Sequence, residues 1–123
     1  MTPNPFVILY VEDNDLVRES FAELLATAER LVVCVADGAG ARKALREQNV
    51  NLLMTDINLP DGSGLDVARE ALRQNPNLPV IICSGHDLRN VAVTLGPTAH
   101  ALMKPFELDE LEALVARLAA EST

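Results

Sequence analysis

The sequence predicts an α/β fold, an open and doubly wound parallel sheet in which five strands alternate with five helices. Five short apolar runs occur in order along the 123 residues, and segments with helical spacing of apolar residues separate them. The runs lack the polar alternation of a half-exposed strand, so we expect a sheet that is covered on both faces. Parallel strands joined by right-handed helical crossovers satisfy that requirement.

The predicted strands cover residues 6–11, 31–35, 51–54 and 78–83, with a weaker run at residues 99–103. For such a sheet we expect the strand order 2-1-3-4-5. In that order the direction of winding reverses between the first and third strands, and ligands bind at the carboxyl ends of the strands beside the reversal. Residues that follow these two strands are therefore the first candidates for a functional site.

Two of the helices are well marked by their apolar spacing. Val17 is followed by apolar residues at i+4, i+7 and i+8, which predicts an amphipathic first helix with Asn14 or Asp15 as its N-cap. A stripe of leucine and valine over residues 108–118 predicts the last helix. Acidic residues at the start of this helix interact favourably with the positive end of its dipole.

The other three helices are less clearly marked. Apolar residues indicate a second helix around residues 41–45 and a third over residues 65–72, which ends before Pro76 because the residue preceding a proline disfavours the helical conformation. Residues 87–95 have room for one more short helix, which the following Gly-Pro pair ends early. We therefore expect a shortened or irregular fourth helix.

Length and composition limit the possible functions. One domain over residues 1–123, with its core at about 5–120, accounts for the length. The net charge of −8 disfavours attraction to nucleic acid phosphates or anionic lipid, and no apolar run approaches the roughly 20 residues of a membrane helix. We therefore expect a cytoplasmic protein that binds neither nucleic acid directly nor a membrane.

Cys34 and Cys83 each lie in an apolar run, which predicts two buried thiols.

Polar residues stand at the carboxyl ends of four predicted strands. Glu12 and Asp13 mark the end of the first strand, Asp56 the third, Ser84 the fourth and Lys104 the fifth. Three carboxylates at one edge of a sheet repel one another, so without a cation at least one of them should have a raised pKa. A hard divalent ion such as Mg²⁺ relieves this repulsion and keeps coordination positions for water or phosphate.

This combination suits the transfer of a phosphoryl group to a carboxylate. A carboxylate beside Mg²⁺ can act as a nucleophile and form an aspartyl phosphate. Lys104, Ser84 and backbone N–H groups after Asp56 can neutralise the oxygens of the transferred group. A single acid at a strand end is usually a turn former or a helix cap, and we interpret Asp15 and Asp61 in that way. The coincidence of complementary groups at one edge is what favours a site.

Four segments at suitable spacing carry a family resemblance. They are ILYVEDN at residues 8–14, MTDINLPDGSG at 54–64, VIICSG at 80–85 and MKPF at 103–106. Together they resemble the receiver domain of two-component response regulators, over essentially the whole chain. The resemblance implies a flavodoxin-like (βα)5 fold and a phosphoacceptor signalling switch whose only catalysis is self-phosphorylation or self-dephosphorylation.

The resemblance also implies the chemistry of individual residues. Asp56 would receive a phosphoryl group from a histidine kinase or a histidine phosphotransfer protein. Glu12, Asp13 and the backbone carbonyl of Asn58 would bind Mg²⁺, or Mn²⁺, together with Asp56. Lys104 would contact the phosphate.

Three further features follow from the same resemblance. Ser84 moves toward the phosphoryl group on activation. The peptide bond between Lys104 and Pro105 is cis. Gly64 lets the loop that follows the phosphoacceptor turn into the next helix.

The sequence departs from the receiver pattern on the output side. Ala101 stands where receivers usually carry Tyr or Phe, so rotation of a ring at that position cannot report phosphorylation, and His100 next to it is a weak substitute. His86 lies where family members tune the access of water to the phosphoryl group. The fourth helix, fifth strand and fifth helix form the usual output surface, which implies a downstream protein or a fused output domain and allows a homodimer.

Three alternatives stay open at this point. A degenerate receiver would act as a phosphorylation-independent protein-binding module, which Ala101 and the short fourth segment favour. A hydrolase of the haloacid dehalogenase type needs a second aspartate where the chain has Asn58. A flavodoxin-like carrier needs a loop of Ser, Thr and Gly, whereas the acids of residues 12–15 would repel the flavin phosphate.

Overall fold

A computed structural model describes residues 5–86 and 89–121. The elements along these residues are β1 (Phe6–Val11), α1 (Asp15–Leu25), β2 (Arg30–Val35), α2 (Gly38–Glu47), β3 (Leu52–Asp56), β4 (Asn58–Leu59), β5 (Gly62–Ser63), α3 (Gly64–Gln74), β6 (Val80–Ser84), α4 (Arg89–Leu95), β7 (Ala99–Met103) and α5 (Leu108–Glu121). Each predicted strand is confirmed, with ends that differ from the prediction by at most two residues. The start predicted for the fourth helix, residues 87–88, lies outside the described residues.

Among the described residues, five parallel strands form one sheet in the order β2-β1-β3-β6-β7. This is the predicted order 2-1-3-4-5, because β6 and β7 are the fourth and fifth strands of this sheet along the chain. The neighbouring strands are in register at their carboxyl ends, where Val11 pairs with Thr55 and Asp56 pairs with Cys83. The ends of β1, β3 and β6 therefore meet at one edge, as the winding rule requires.

A small antiparallel hairpin of β4 and β5 follows β3 and has no counterpart in the predicted elements. Asn58 pairs with Ser63, and Leu59 pairs with Gly62. Each strand has only two residues, too few to produce a recognisable apolar period. Gly62 has a φ of 148°, a backbone conformation that glycine adopts at little cost, and it lies at the turn of this hairpin.

The sheet separates two layers of apolar packing. On the face covered by α1 and α5, Ile8 and Tyr10 of β1 belong to one buried cluster. On the face covered by α2 and α3, Leu9 and Val11 belong to the other. Burial of both alternating sets is what a parallel sheet between two helical layers requires. Each fully buried aliphatic side chain stabilises the fold by about 1.5–3 kcal/mol, so the central strands are the rigid part of the molecule.

The helix ends follow from local chemistry. Asn14 is the N-cap of α1, since its side-chain oxygen accepts a hydrogen bond from the Val17 N–H at 3.0 Å. Asp15 is the first helical residue rather than the cap. The helices α3 and α4 end before Pro76 and Gly96, as predicted.

The start of α2 is held by two carboxylates. Asp37 is the N-cap and accepts a hydrogen bond from the Gly40 N–H at 2.7 Å. Asp61, which lies in the turn of the hairpin, accepts hydrogen bonds from the N–H groups of Gly38 at 2.8 Å and Ala39 at 2.9 Å. The interpretation of Asp61 as a helix cap is thus confirmed, and its bonds tie the hairpin to a helix more than twenty residues earlier in the chain.

The prediction of two buried thiols was correct for Cys83 and wrong for Cys34. Cys83 is buried in β6, and burial raises the pKa of its thiol to about 12. Cys34 is exposed because β2 is an edge strand, in which Leu31 and Cys34 are exposed and the other residues are only partly buried. An apolar run in the sequence does not show this incomplete burial. Both thiols are free.

The Asp61 cap predicts a pH-dependent contribution to stability. Hydrogen bonds from Gly38 and Ala39 hold the pKa of the Asp61 carboxyl below its usual value. The contribution is therefore complete above the unfolded pKa of about 3.9 and is lost as the pH falls through the lower folded value. We expect Asp61→Asn to lower the melting temperature near neutral pH, and the difference from wild type to close in acid. Asp66→Asn, at an exposed position of α3, is the matched control. A difference in melting temperature between Asp61→Asn and wild type that does not change with pH would contradict the proposed cap.

Candidate functional site

The candidate site lies at the carboxyl edge of the sheet and draws on four strands. Asp56 is the last residue of β3, and Ser84 is the last residue of β6. Glu12 directly follows β1, and Lys104 directly follows β7. The predicted convergence of strand-end residues is therefore present in the fold.

Three carboxylates form a compact cluster at this edge. One oxygen each of Glu12, Asp13 and Asp56 lies within 4.8 Å of the other two. Glu12 is buried, Asp56 is half-buried and Asp13 is exposed, so the cluster has a closed side and an open side. Carboxylate oxygens that converge on one point and leave an open side fit a hard divalent ion, which keeps water or phosphate in its remaining positions.

Lys104 supplies the opposite charge. Its Nζ lies 2.6 Å from Oδ1 of Asp56 and 3.6 Å from Oε1 of Glu12. Partial burial acts to lower the pKa of Lys104, but the hydrogen bond to Asp56 and the charges of Asp56 and Glu12 outweigh it and raise the pKa. The ammonium group therefore stays protonated and partly neutralises the cluster.

Glu12 has the raised pKa that the sequence predicts for one member of the cluster. Burial is the largest cause; the hydrogen bond from the Asn14 N–H opposes it, and the negative charge of Asp56 adds to it. The distance from the Asn14 nitrogen to Oε2 of Glu12 is 3.2 Å. Burial and the neighbouring carboxylate thus both favour the protonated form of Glu12, and a bound cation would favour the charged form instead.

An apolar cavity of about 480 Å³ adjoins the acids on the side of α1 and α5. Its apolar walls are formed by Tyr10, Val17, Phe21, Met54, Cys83, Pro105 and Phe106. Burial, followed by the charge of Glu12, raises the pKa of the Tyr10 hydroxyl. Such an apolar wall lowers the local dielectric, which strengthens the attraction between Lys104 and Asp56.

Ser84 and its loop stand next to the acids. Ser84 is buried, its Oγ accepts a hydrogen bond from the His86 N–H at 3.2 Å, and its carbonyl accepts one from the Lys104 N–H at 2.7 Å. The bond from Lys104 joins the ends of β6 and β7. The peptide bond between Lys104 and Pro105 is cis, as the resemblance implies.

Gly64 is needed for a different reason from the one predicted. A Cβ at this position would lie 1.9 Å from the carbonyl oxygen of Asp56 and 2.8 Å from Oγ1 of Thr55. Gly64 also donates a backbone hydrogen bond to Ile57 at 2.8 Å. The absence of a side chain lets α3 start against the end of β3, whereas the unusual backbone conformation belongs to Gly62.

Two residues that sequence reasoning missed hold the backbone of the site. Oγ1 of Thr55, which is fully buried, donates a hydrogen bond to the Asp56 carbonyl at 2.9 Å. Nη1 of Arg18 donates one to the Glu12 carbonyl at 2.8 Å. A hydroxyl in an otherwise apolar strand was a usable signal for Thr55, while nothing in the spacing of Arg18 distinguishes it from a solvated charge on α1.

The other predicted residues lie on β4 and β7. Asn58 opens β4, two residues after Asp56. Ala101 is partly buried in β7, opposite Ile82.

His100 lines a different cavity of about 530 Å³ together with Arg117 and Glu121. Burial, followed by the charge of Arg117, lowers the pKa of His100. His100 therefore lies at a different cavity from the one beside the acids.

The arrangement matches a known family. The family model for the response regulator receiver domain matches residues 8–116. The chain belongs to this family. Receiver domains are phosphoacceptor signalling modules of two-component systems rather than enzymes in the usual sense. This assignment separates the chain from the haloacid dehalogenase and flavodoxin alternatives.

Relatives of this receiver domain include regulators of different lengths. It is 36% identical over 118 residues to the response regulator protein PmrA of Pseudomonas aeruginosa, covering 94% of this chain and 53% of PmrA. It is 34% identical over 110 residues to the receiver protein CpdR of Brucella abortus, covering 85% of this chain and 88% of CpdR. The chain thus spans about half the length of PmrA and most of CpdR.

A solved structure supports the fold. The response regulator TrrA of Thermotoga maritima, in complex with Mg²⁺-BeF, superimposes with a TM-score of 0.81 at 27% identity. The match covers 92% of this receiver domain and 98% of TrrA. Separately, no helix within residues 5–86 and 89–121 is both long and apolar enough to cross a membrane.

Gly64→Ala tests the close approach of α3 to Asp56. The added methyl group forces the helix and the strand end apart, so we expect the free energy of unfolding to fall by about 2 kcal/mol, as in other overpacked sites. Gly85→Ala is the matched control, because its methyl group would meet no atom within 4 Å. Equal urea midpoints for the two variants would show that the approach is less tight than described.

Proposed function

We propose that Asp56 accepts a phosphoryl group from a phosphohistidine, presented by a histidine kinase or a histidine phosphotransfer protein, in a Mg²⁺-dependent reaction. The observation that carries the proposal is the contact of 2.6 Å between Asp56 Oδ1 and Lys104 Nζ inside the three-carboxylate cluster. An acid in that setting has a cation ready for the oxygens of an incoming phosphoryl group.

The proposed transfer exchanges one bond to phosphorus for another. An oxygen of Asp56 forms a bond to phosphorus while the bond between phosphorus and the donor imidazole nitrogen breaks. The electron pair stays on that nitrogen, which takes up a proton. Bound Mg²⁺ (or Mn²⁺), held by Glu12, Asp13, Asp56 and the carbonyl of Asn58, would supply neutralisation of the phosphoryl charge.

The residues around Asp56 have separate tasks in this proposal. Lys104 moves its hydrogen bond from the carboxylate to a phosphoryl oxygen. Ser84 can donate its hydroxyl proton to another oxygen, because its Oγ accepts from the His86 N–H in the described state and its proton is not used in that bond. His86 is exposed beside this loop and would tune the access of water, and hence the lifetime of the phosphate.

Phosphorylation would then act as an electrostatic switch. It adds roughly −1.5 to −2 charges at the sheet edge, which draws Ser84 inward and biases the surface of α4, β7 and α5. Because β7 has Ala101 where receivers usually carry an aromatic residue, the change at Asp56 would reach this surface through movement of the backbone of the Ser84 loop and β7, and not through rotation of a ring. A downstream protein, a fused output domain or a second copy in a homodimer would read that surface. We place this exchange in the cytoplasm, and we treat the chain as a single receiver domain.

Mass spectrometry tests the acceptor directly. We expect wild type incubated with acetyl phosphate and Mg²⁺ to gain the mass of one phosphoryl group, and EDTA to prevent it. Asp56→Asn should gain none, whereas the matched control Asp66→Asn on α3 should behave as wild type. A wild type that stays unmodified would instead favour the phosphorylation-independent binding module.

Lys104 provides a second test. The chain has two lysines, Lys43 on α2 and Lys104 at the site. Loss of one hydrogen-bond donor that stabilises charge in a transition state costs about 100-fold or more in rate. We therefore expect Lys104→Gln to slow formation of the phosphoryl adduct by that order, while Lys43→Gln leaves the rate unchanged. Similar rates for the two variants would remove Lys104 from the mechanism.

A further inference from the structure

Arg18 makes two contacts that join α1 to the acidic cluster. Its Nη1 donates to the carbonyl oxygen of Glu12 at 2.8 Å, and its Nη2 donates to Oδ1 of Asp15 at 2.5 Å. The side chain of Arg18 is only 17% exposed, whereas that of Asp15 is 78% exposed. An exposed ion pair at i, i+3 contributes little by itself. The hydrogen bond from Arg18 to the Glu12 carbonyl is therefore the contact that holds the backbone beside the acids in place.

The accepted carbonyl belongs to the peptide that joins the two neighbouring acids. A peptide unit is planar, so fixing the Glu12 carbonyl also fixes the Asp13 nitrogen and limits where the Asp13 side chain can point. The preceding N–H of Glu12 is bonded to the Val35 carbonyl at 3.1 Å. Arg18 thus completes the set of bonds that holds this turn between β1 and α1.

We propose that Arg18 is a positioning residue for the metal site, holding the peptide between Glu12 and Asp13 so that both carboxylates face Asp56. The proposal rests on the proposed function, since it assumes that the cluster binds a divalent ion. Arg18 touches neither the ion nor the phosphoryl group. Groups that orient metal ligands in this way typically change metal affinity by 10- to 100-fold when they are removed.

Arg69 offers a matched comparison within the same chain. It pairs with Asp66 at i, i+3 in α3, at 3.3 Å, in the same arrangement as Arg18 and Asp15. Among the contacts of the described residues, Arg69 has no bond to a loop carbonyl. A variant of Arg69 therefore loses an arginine and a helical ion pair without losing the proposed function of Arg18.

The test measures Mn²⁺ affinity by the electron paramagnetic resonance signal of free Mn²⁺. We expect Arg18→Met to bind Mn²⁺ about 10-fold more weakly than wild type, and Arg69→Met to bind it equally well. Asp15→Asn should stay close to wild type, because Arg18 can still reach the carbonyl. Arg18→Lys, which can serve only one of the two acceptors, should be intermediate. Circular dichroism at the assay temperature confirms that each variant is folded.

A second readout separates positioning from general stability. Weakened metal binding is overcome by mass action, so saturating Mg²⁺ should restore the rate of adduct formation in Arg18→Met. The proposal is overturned if Arg18→Met and Arg18→Lys both bind Mn²⁺ as tightly as wild type. If Arg18→Met does not fold, the Mn²⁺ affinity of Arg18→Lys alone decides the proposal. If wild type binds Mn²⁺ and is phosphorylated, and Arg18→Met binds Mn²⁺ equally well, only the positioning function of Arg18 is refuted. A wild type that binds no Mn²⁺ refutes the proposed function itself.

Discussion

The repulsion among three carboxylates at one sheet edge is the constraint around which this domain is built. Like charges within 4.8 Å of one another destabilise a fold unless a cation or a proton neutralises them. In the described structure Lys104 provides the cation, while burial and, to a lesser extent, the negative charge of Asp56 raise the pKa of Glu12. A divalent ion at this cluster would relieve the repulsion.

The scaffold keeps the charges in place because its central strands cannot yield. Both faces of β1 and β3 are packed against helices, so their ends have little freedom to separate. Individual hydrogen bonds also hold the strand ends and the loops at this edge. Arg18 holds the loop after β1, Thr55 holds the end of β3, and Asp61 ties the hairpin to α2. Rigid strands and tethered loops together give the preorganisation that phosphoryl transfer needs.

The acceptor end and the output end of the domain follow the family to different degrees. The acids, Ser84 and Lys104 stand together at one edge, each at a strand end. On the other side of Ser84, α4 has seven residues and ends at Leu95, and β7 has Ala101 in place of the aromatic residue that receivers usually carry. The hydrogen bond from the Lys104 N–H to the Ser84 carbonyl joins the ends of β6 and β7.

The sequence by itself determined the order of strands and helices, the edge that carries the site and the identity of its acids, hydroxyl and lysine. These features depend on local patterns: apolar runs, helical spacing, and polar residues directly after strands. Tertiary structure alone decided that Cys34 is exposed, that Gly64 must lack a side chain, and which backbone groups Arg18 and Asp61 bind. Those features depend on how closely segments remote along the chain approach one another and on how far the helices cover the edge strand. The spacing of neighbouring residues encodes neither quantity.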